Sequence, residues 1–412
     1  MRCDRPGAGD LRSLPLPEDR AILRATWHAR SFRRTGRWTA LRHRPLERGR
    51  KVEIAKVRMK MGRFQNGRRT DQALVQPFPD MPAGEAVCPL CASMETICWF
   101  RGADTDHSLS REFSLFRCRA CGLGFVSPLP SEAEIERLYP PRFYRRKERG
   151  GERFLSRILG WYEALTYRRR LAWIGNAAPG RTRLLDVGCG NGKFLALAAS
   201  AGWVATGVEA SAAGAAAART DYGLTVHEGF LPDLSLPPAS FDAITMWHVL
   251  EHIPEFQRVV ECCRDLLRPG GRLVIAVPNF AGMEARCFRE NWALFDLPRH
   301  VVFFTPQTLR RLVEACGLVP VREAHFSLEF NVPIAIQNVL NLLCTEKMFL
   351  YNVAKRNYTP ADVRHPEAYR RNLLLSLGGA FLLGPPALLV SVAASLLGRG
   401  TTYTLCAERG GV

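Results

Sequence analysis

The chain has 412 residues, 47% of them hydrophobic, so it can bury a full-sized core and has room for more than one domain. Its net charge is +18, but residues 1–80 hold 20 Lys and Arg against 8 Asp and Glu and so carry +12 of it. A basic tail ahead of a nearly balanced body is not the charge distribution of a nucleic-acid enzyme, and no nucleic-acid partner is expected. Of the 13 cysteines, four form two C-x-x-C pairs and the rest are scattered, which excludes a disulfide framework. The opening residues lack the apolar core of a signal peptide, so a cytoplasmic location is expected.

Residues 1–80 are rich in Arg, Gly and Pro with no sustained apolar period, and read as a disordered basic tail. A small module with its linker follows over 85–144. Cys88-Pro89-Leu90-Cys91 and Cys118-Arg119-Ala120-Cys121-Gly122 stand 26 residues apart. Two such turns supply four thiolates for a structural zinc with a closed coordination sphere. Between the pairs, Asp104, Asp106 and Glu112 sit beside the arginines, which argues against a nucleic-acid-binding ribbon.

From about 181 to 277 short apolar runs alternate with helical stretches, the pattern of a parallel sheet covered on both faces. Strands are expected at 184–187, 204–208, 224–227, 243–246 and 272–277. Helices are expected at 193–201, from a Ser211 cap to about Arg219, and at 255–267. Beyond Pro278 come a loop-rich stretch, a helix at 307–316 and a strand within 319–330. An insertion over 331–400 then precedes a last strand at 401–407.

The densest chemical signal is Asp186-Val187-Gly188-Cys189-Gly190-Asn191-Gly192, where the first strand of that series turns into its helix. Glycines there let a ligand lie against the backbone, and the helix N-terminus favours a carboxylate. Glu209 ends the next strand, 23 positions after Asp186, where a carboxylate can accept from both hydroxyls of a ribose. The dinucleotide fingerprint requires a third glycine where this chain has Lys193, so the pattern is G-x-G-x-G instead.

This turn resembles motif I of class I S-adenosylmethionine (SAM) dependent methyltransferases, and Glu209 matches their ribose-binding acid. Phe241-Asp242, His248-Val249-Leu250-Glu251-His252 and Arg268-Pro269-Gly270-Gly271 are similar to later motifs. The resemblance covers roughly 85–330 and the last strand, with the methyltransferase domain proper at 150–330. It implies an α/β fold, a doubly wound Rossmann-like sheet of seven strands. It also implies cofactor contacts from Asp186, Gly188, Cys189, Gly190, Gly192, Glu209, Ala210, Gly229, Phe230 and Trp247. An acidic residue is more usual than Phe230 after the glycine. Trp247 and His248 fall where the methyl group meets its acceptor.

His248, Glu251 and His252 are spaced i, i+3, i+4 and share one face of a helix that begins this early. The set resembles the Glu-x-x-Glu-His element of quinone-precursor O-methyltransferases, where such a face binds magnesium. Two imidazoles suit zinc, iron or manganese better. In the alternative reading Glu251 and His252 make helix-entry contacts and only His248 faces substrate. His248 is the first candidate for the general base of an O-methylation, with His252 as second. Trp292 and the Asp296, Arg299 and His300 that follow resemble a "DxPRH" element tied to cell-envelope sugar or lipid pathways. They are candidates to fix a polar acceptor, or Asp296 and Arg299 pair to pin a loop.

The apolar stretch 373–397 is long enough to span a membrane, but Gly384-Pro385-Pro386 divides it, and a helical hairpin is expected. Such a hairpin dips into one leaflet from the cytoplasmic face or closes the active site as a buried pair. The expected partner is a small-molecule or lipid-linked glycosyl acceptor. The alternatives are a quinone-precursor O-methyltransferase and a degenerate SAM-fold binding protein.

Overall fold

The computed structural model describes residues 86–103, 109, 111–138, 153–175, 182–354, 363 and 365–411. The tail over 1–80 lies outside them. In chain order the elements are β1 (Thr96–Ala103), β2 (Glu112–Cys118), β3 (Gly124–Val126), α1 (Glu132–Leu138) and α2 (Arg153–Ile174). Then come β4 (Arg183–Val187), α3 (Lys193–Ser200), β5 (Val204–Glu209), α4 (Ala212–Tyr222), β6 (Thr225–Glu228), β7 (Phe241–Trp247), α5 (Phe256–Leu266) and β8 (Leu267–Pro278). The last group is α6 (Met283–Phe288), β9 (Val302–Phe303), α7 (Pro306–Ala315), β10 (Leu318–Ala324), α8 (Asn331–Leu343), α9 (Phe349–Ala354), α10 (Tyr369–Leu396) and β11 (Thr402–Arg409).

The larger sheet has seven strands in the order β10-β11-β8-β7-β4-β5-β6. Strands β4 to β8 run parallel, and β11 lies antiparallel between β8 and β10. The parallel strands are apolar because helices cover both faces. Amphipathic helices supply those covers: α5 buries Phe256, Val259, Val260, Cys263 and Leu266, and α7 buries Leu309, Leu312 and Val313. Local chemistry sets the helix ends. Ser211 Oγ accepts from the Gly214 N–H at 3.4 Å to start α4, and Gly223 closes it in a left-handed conformation.

The four-cysteine module is a second sheet, β1-β2-β3-β9, antiparallel throughout. Its fourth strand comes from far along the chain, with Phe125 opposite Val302 and Gly124 opposite Phe303. The module is therefore not closed within 85–144. Phe116, Phe125, Cys88 and Cys118 share one core with Val259, Val301 and Phe304 of the catalytic side.

The C-terminal apolar segment corrects an expectation. It is not a hairpin but one helix of 28 residues, with Pro385 and Pro386 inside it. Helices commonly end on a left-handed glycine, but none of Gly378, Gly379 and Gly384 takes a positive φ. Proline removes N–H donors without reversing the chain, so the helix continues through both.

Candidate active site and metal centre

The glycine turn sits at the C-terminal edge of β4, in the middle of the parallel strands. Gly188 and Gly190 have φ of 70° and 56°. A Cβ on Gly188 would stand 2.5 Å from Val249 Cγ2, whereas one on Gly190 would project into open space. The turn thus leaves a backbone cradle at Gly190, opposite Glu209. The Gly190 N–H donates to Glu209 Oε2 at 2.8 Å and the Ser211 N–H to Oε1 at 2.9 Å. Burial pushes the Glu209 carboxyl up, while the N–H groups of Ser211, Gly190 and Ala210 pull the other way. Asp186, under the turn, accepts from Thr245 Oγ1 at 2.6 Å, and burial raises it to about 7. Gly229 extends the same edge, its N–H bonded to the Glu209 carbonyl at 3.0 Å, and Phe230 packs on the core beside it. These residues fit an adenosyl group carrying a methionine carboxylate: an open backbone, a ribose acceptor and the N-terminus of α3.

Beside this cradle lies a cavity of about 240 Å³ lined by Trp247, His248, Arg169, Arg170, Arg322 and the loop 326–329. His248 has φ 57°, a left-handed conformation that turns it out of the strand. Its ring lies 3.9 Å from that of Phe330, and Nδ1 is 3.3 Å from Glu251 Oε1. Glu251 is fully buried. Burial alone would raise its carboxyl, but His248, with His252 and His300, holds it below its ordinary value. The Arg170 guanidinium stands 5.1 Å from the Trp247 ring centre and pairs with Glu329.

Sequence reasoning missed Arg170, Arg322, Glu329 and Phe330. The run Arg168-Arg169-Arg170 on α2 was a signal, but its partner Glu329 is 159 residues away. No local pattern carries that pairing.

The face expected from His248, Glu251 and His252 is not built. Only a 3₁₀ turn, Leu250–His252, occurs there, so the i, i+3, i+4 rule for α-helices does not apply. His252 instead turns to His300, with ring centres 4.7 Å apart, and its Nδ1 is 2.9 Å from the Arg299 carbonyl. The donor atoms within 4.8 Å of one another belong to Glu251, His252 and His300, with His248 outside the trio. His252 does not line the cavity, so it is not placed as a base.

The acceptor candidates are corrected likewise. Trp292 is core, its Nε1 donating to Thr401 Oγ1 at 3.4 Å. Arg299 Nε donates to Asp296 Oδ2 at 2.8 Å, and His300 Nδ1 lies 2.9 Å from the Leu294 carbonyl. None of the four reaches the cavity beside His248. The Asp296–Arg299 pair is the contact that the pinned-loop alternative expects.

In the small sheet the Sγ atoms of Cys88 and Cys121, and of Cys91 and Cys118, are each 3.6 Å apart, and all four lie within 4.8 Å. Tetrahedral thiolates 2.3 Å from a zinc ion would be separated by about 3.8 Å, so the set fits. Matching turns shape both pairs, with the Ala92 N–H bonded to the Cys88 carbonyl at 2.9 Å and that of Gly122 to Cys118 at 3.0 Å. The Cys88–Cys121 contact lowers the Cys88 thiol to about 5 and raises that of Cys121, so the pair holds one thiolate and one thiol.

A parallel sheet with one antiparallel strand inserted, a glycine cradle and a buried carboxylate at the end of the neighbouring strand together fit a class I SAM-dependent methyltransferase. The family described as "Methyltransferase domain" matches residues 152–323. The ubiquinone biosynthesis O-methyltransferase of Idiomarina loihiensis is 30% identical over 166 residues, 36% of this chain and 67% of that protein. That of Aromatoleum aromaticum is 31% identical over 162 residues, 36% of this chain and 69% of that protein. A solved structure, Haemonchus contortus phosphoethanolamine N-methyltransferase 2 with SAM, overlaps with TM-score 0.41 at 17% identity, over 61% of this chain and 53% of that one. The chain belongs to the SAM-dependent methyltransferases.

Proposed function

We propose that the enzyme methylates an oxygen of a glycosyl or lipid-linked acceptor. The observation that carries this reading is the cavity beside the cradle, which combines His248 and its buried carboxylate with Arg169, Arg170 and Arg322. SAM, when bound, supplies a methyl group on a sulfonium centre open to in-line attack by a nucleophile. Asp186, Gly188, Cys189, Gly190, Gly192, Glu209, Ala210, Gly229, Phe230 and Trp247 hold it. His248 takes the acceptor's hydroxyl proton. Glu251 keeps Nδ1 as the protonated nitrogen, leaving Nε2 as the base. The arginines fit an acceptor that bears an anionic group, such as a phosphate. Zinc held by Cys88, Cys91, Cys118 and Cys121 fills its four positions and acts structurally. The described cysteines are all free thiols, which suits the cytoplasmic face of a membrane.

One observation favours a second reading. Both relatives above are named for ubiquinone biosynthesis, which supports a quinone-precursor phenol as acceptor. Incubation with methyl-labelled SAM and fractionated cell extract separates the two. Label is expected in a lipid-linked saccharide fraction, and label confined to a phenolic lipid would establish the quinone reading instead. His248→Ala should lower kcat by about 10²–10⁴ with SAM affinity unchanged. An undiminished kcat would remove His248 as the base.

A further inference from the structure

Helix α10 is built inside out. Its buried positions are Asn372, Ser376, Ser391 and Ala394, while Phe381, Leu389 and Leu396 are 82%, 72% and 83% exposed. No charged residue occurs from 372 to 398. The neighbouring α8 is mixed, burying Asn331, Gln337, Asn338 and Asn341 together with Ile334, Ile336 and Leu340, and exposing Leu342 and Leu343. A helix facing water shows the reverse of the α10 pattern. In lipid, small and polar residues gather where helices meet and apolar side chains face outward. Gly379 marks such a meeting point, since a Cβ there would stand 2.8 Å from Leu340 Cδ2.

By length and composition α10 is apolar enough to cross a bilayer, yet only 11% of its apolar window is buried, unlike the core helix of a soluble domain. Its two ends decide how it meets lipid. Asn372 Nδ2 donates to Thr345 Oγ1 at 2.8 Å, just past the end of α8. Ser395 Oγ donates to the His325 carbonyl at 2.9 Å, just ahead of the start of α8. The chain then enters β11, inside the catalytic sheet. A helix about 42 Å long and pinned to one body at both ends lies along that body and does not cross. Exposed Arg370 and Arg371 flank one end and exposed Arg399 the other, a charge pattern complementary to anionic headgroups.

We infer that α10 is an in-plane membrane anchor whose outer face lies in the acyl region of one leaflet of an anionic bilayer. It commits the membrane contact considered for 373–397 to a single geometry, and it rests on α10 alone, not on the acceptor assigned above. The anchor also reaches the active site. His325, which receives Ser395, leads directly into the 326–329 loop that walls the cavity beside His248. The bilayer surface therefore stands next to the acceptor cavity.

Flotation of the full chain with preformed vesicles tests this, using phosphatidylcholine alone and phosphatidylcholine with phosphatidylglycerol. The wild type should float with the anionic vesicles, and the floating fraction should fall at least about tenfold in Phe381→Asp/Leu389→Asp. Arg370→Ala/Arg371→Ala/Arg399→Ala should lose the preference for anionic vesicles. SAM affinity should be unchanged in both variants, showing that they fold. Wild-type protein that stays at the bottom with both vesicle types overturns the anchor. So does a lipid-free dimer that Phe381→Asp/Leu389→Asp converts to monomer while vesicles bind nothing, since a second copy then covers the face. Failure to methylate any lipid-linked acceptor leaves the anchor standing.

Discussion

Helix α5 turns Phe256, Val259, Val260, Cys263 and Leu266 onto the sheet and leaves Arg258, Glu261 and Asp265 exposed. Helix α10 turns Asn372, Ser376, Ser391 and Ala394 inward and leaves its leucines and Phe381 outside. Both are regular helices on the same catalytic body, so secondary structure does not separate them. What each turns outward does. In α5 the hydrophobic effect fixes the helix to its sheet, whereas in α10 hydrogen bonds and close backbone approach do so. The apolar surface of α10 is left over for something other than folding.

The largest expected effect tests that division directly. Phe256→Ala should cost about 3–5 kcal/mol of unfolding free energy, because a fully buried ring leaves a cavity. Phe381→Ala should lie within about 0.5 kcal/mol of wild type in lipid-free buffer, since its ring is already outside. Urea unfolding of both variants gives the answer, and similar losses would show that α10 packs as a core helix.

A smaller loss is expected at the four-thiolate centre, which shares a core with α5 but not with α10. Wild-type protein should carry about one equivalent of zinc, and Cys88→Ser/Cys118→Ser should carry none. The double variant should unfold more readily than wild type yet float with vesicles as before. Metal-free protein from a reducing purification would remove the zinc assignment.

These contrasts also mark where the sequence was readable. The strands from β4 to β8 were legible because buried parallel strands are continuous apolar runs, and Gly188, Gly190 and Glu209 because their chemistry tolerates few substitutes. Strand β8 begins at Leu267, ahead of the expected start, since Pro269 and the two glycines that follow read as a turn. Strand β9 has two residues and no pattern of its own; it exists only because β3 offers an edge. His248 was legible as a cavity residue, but the Glu251-His252-His300 cluster was not. Its members come from two segments that pairing brings together, with the Val301 N–H bonded to the Glu251 carbonyl at 2.9 Å. The hairpin expectation fails because Pro385 and Pro386 remove two N–H donors without reversing the chain, and the glycines beside them stay helical.

A pH-dependent effect lies beneath α8, where Glu284 is buried as part of the polar layer inside the apolar one. Glu284 Oε2 accepts from Asn338 Nδ2 at 2.7 Å and from Thr401 Oγ1 at 2.8 Å. Burial outweighs these two hydrogen bonds and raises its carboxyl to about 7 from an ordinary 4.5. Between those values the folded protein holds a proton that the unfolded chain has released. Stability therefore falls as pH rises through that window, by at most about 1.4 kcal/mol per pH unit from this group, and levels off above it. Asp186 titrates in the same window with the same sign, so the wild-type curve alone does not isolate Glu284. The difference between wild type and Glu284→Gln does. The neutral amide keeps an oxygen acceptor, so the variant should gain on wild type from about pH 4.5 to about pH 7 and hold that lead above it, with SAM affinity unchanged. Asp186→Asn should show a similar gain in stability but weaken SAM binding, because its carboxyl lies under the glycine cradle. Parallel stability curves for wild type and Glu284→Gln would mean that Glu284 keeps its charge, and that the layer beneath α8 is wetter than its burial implies.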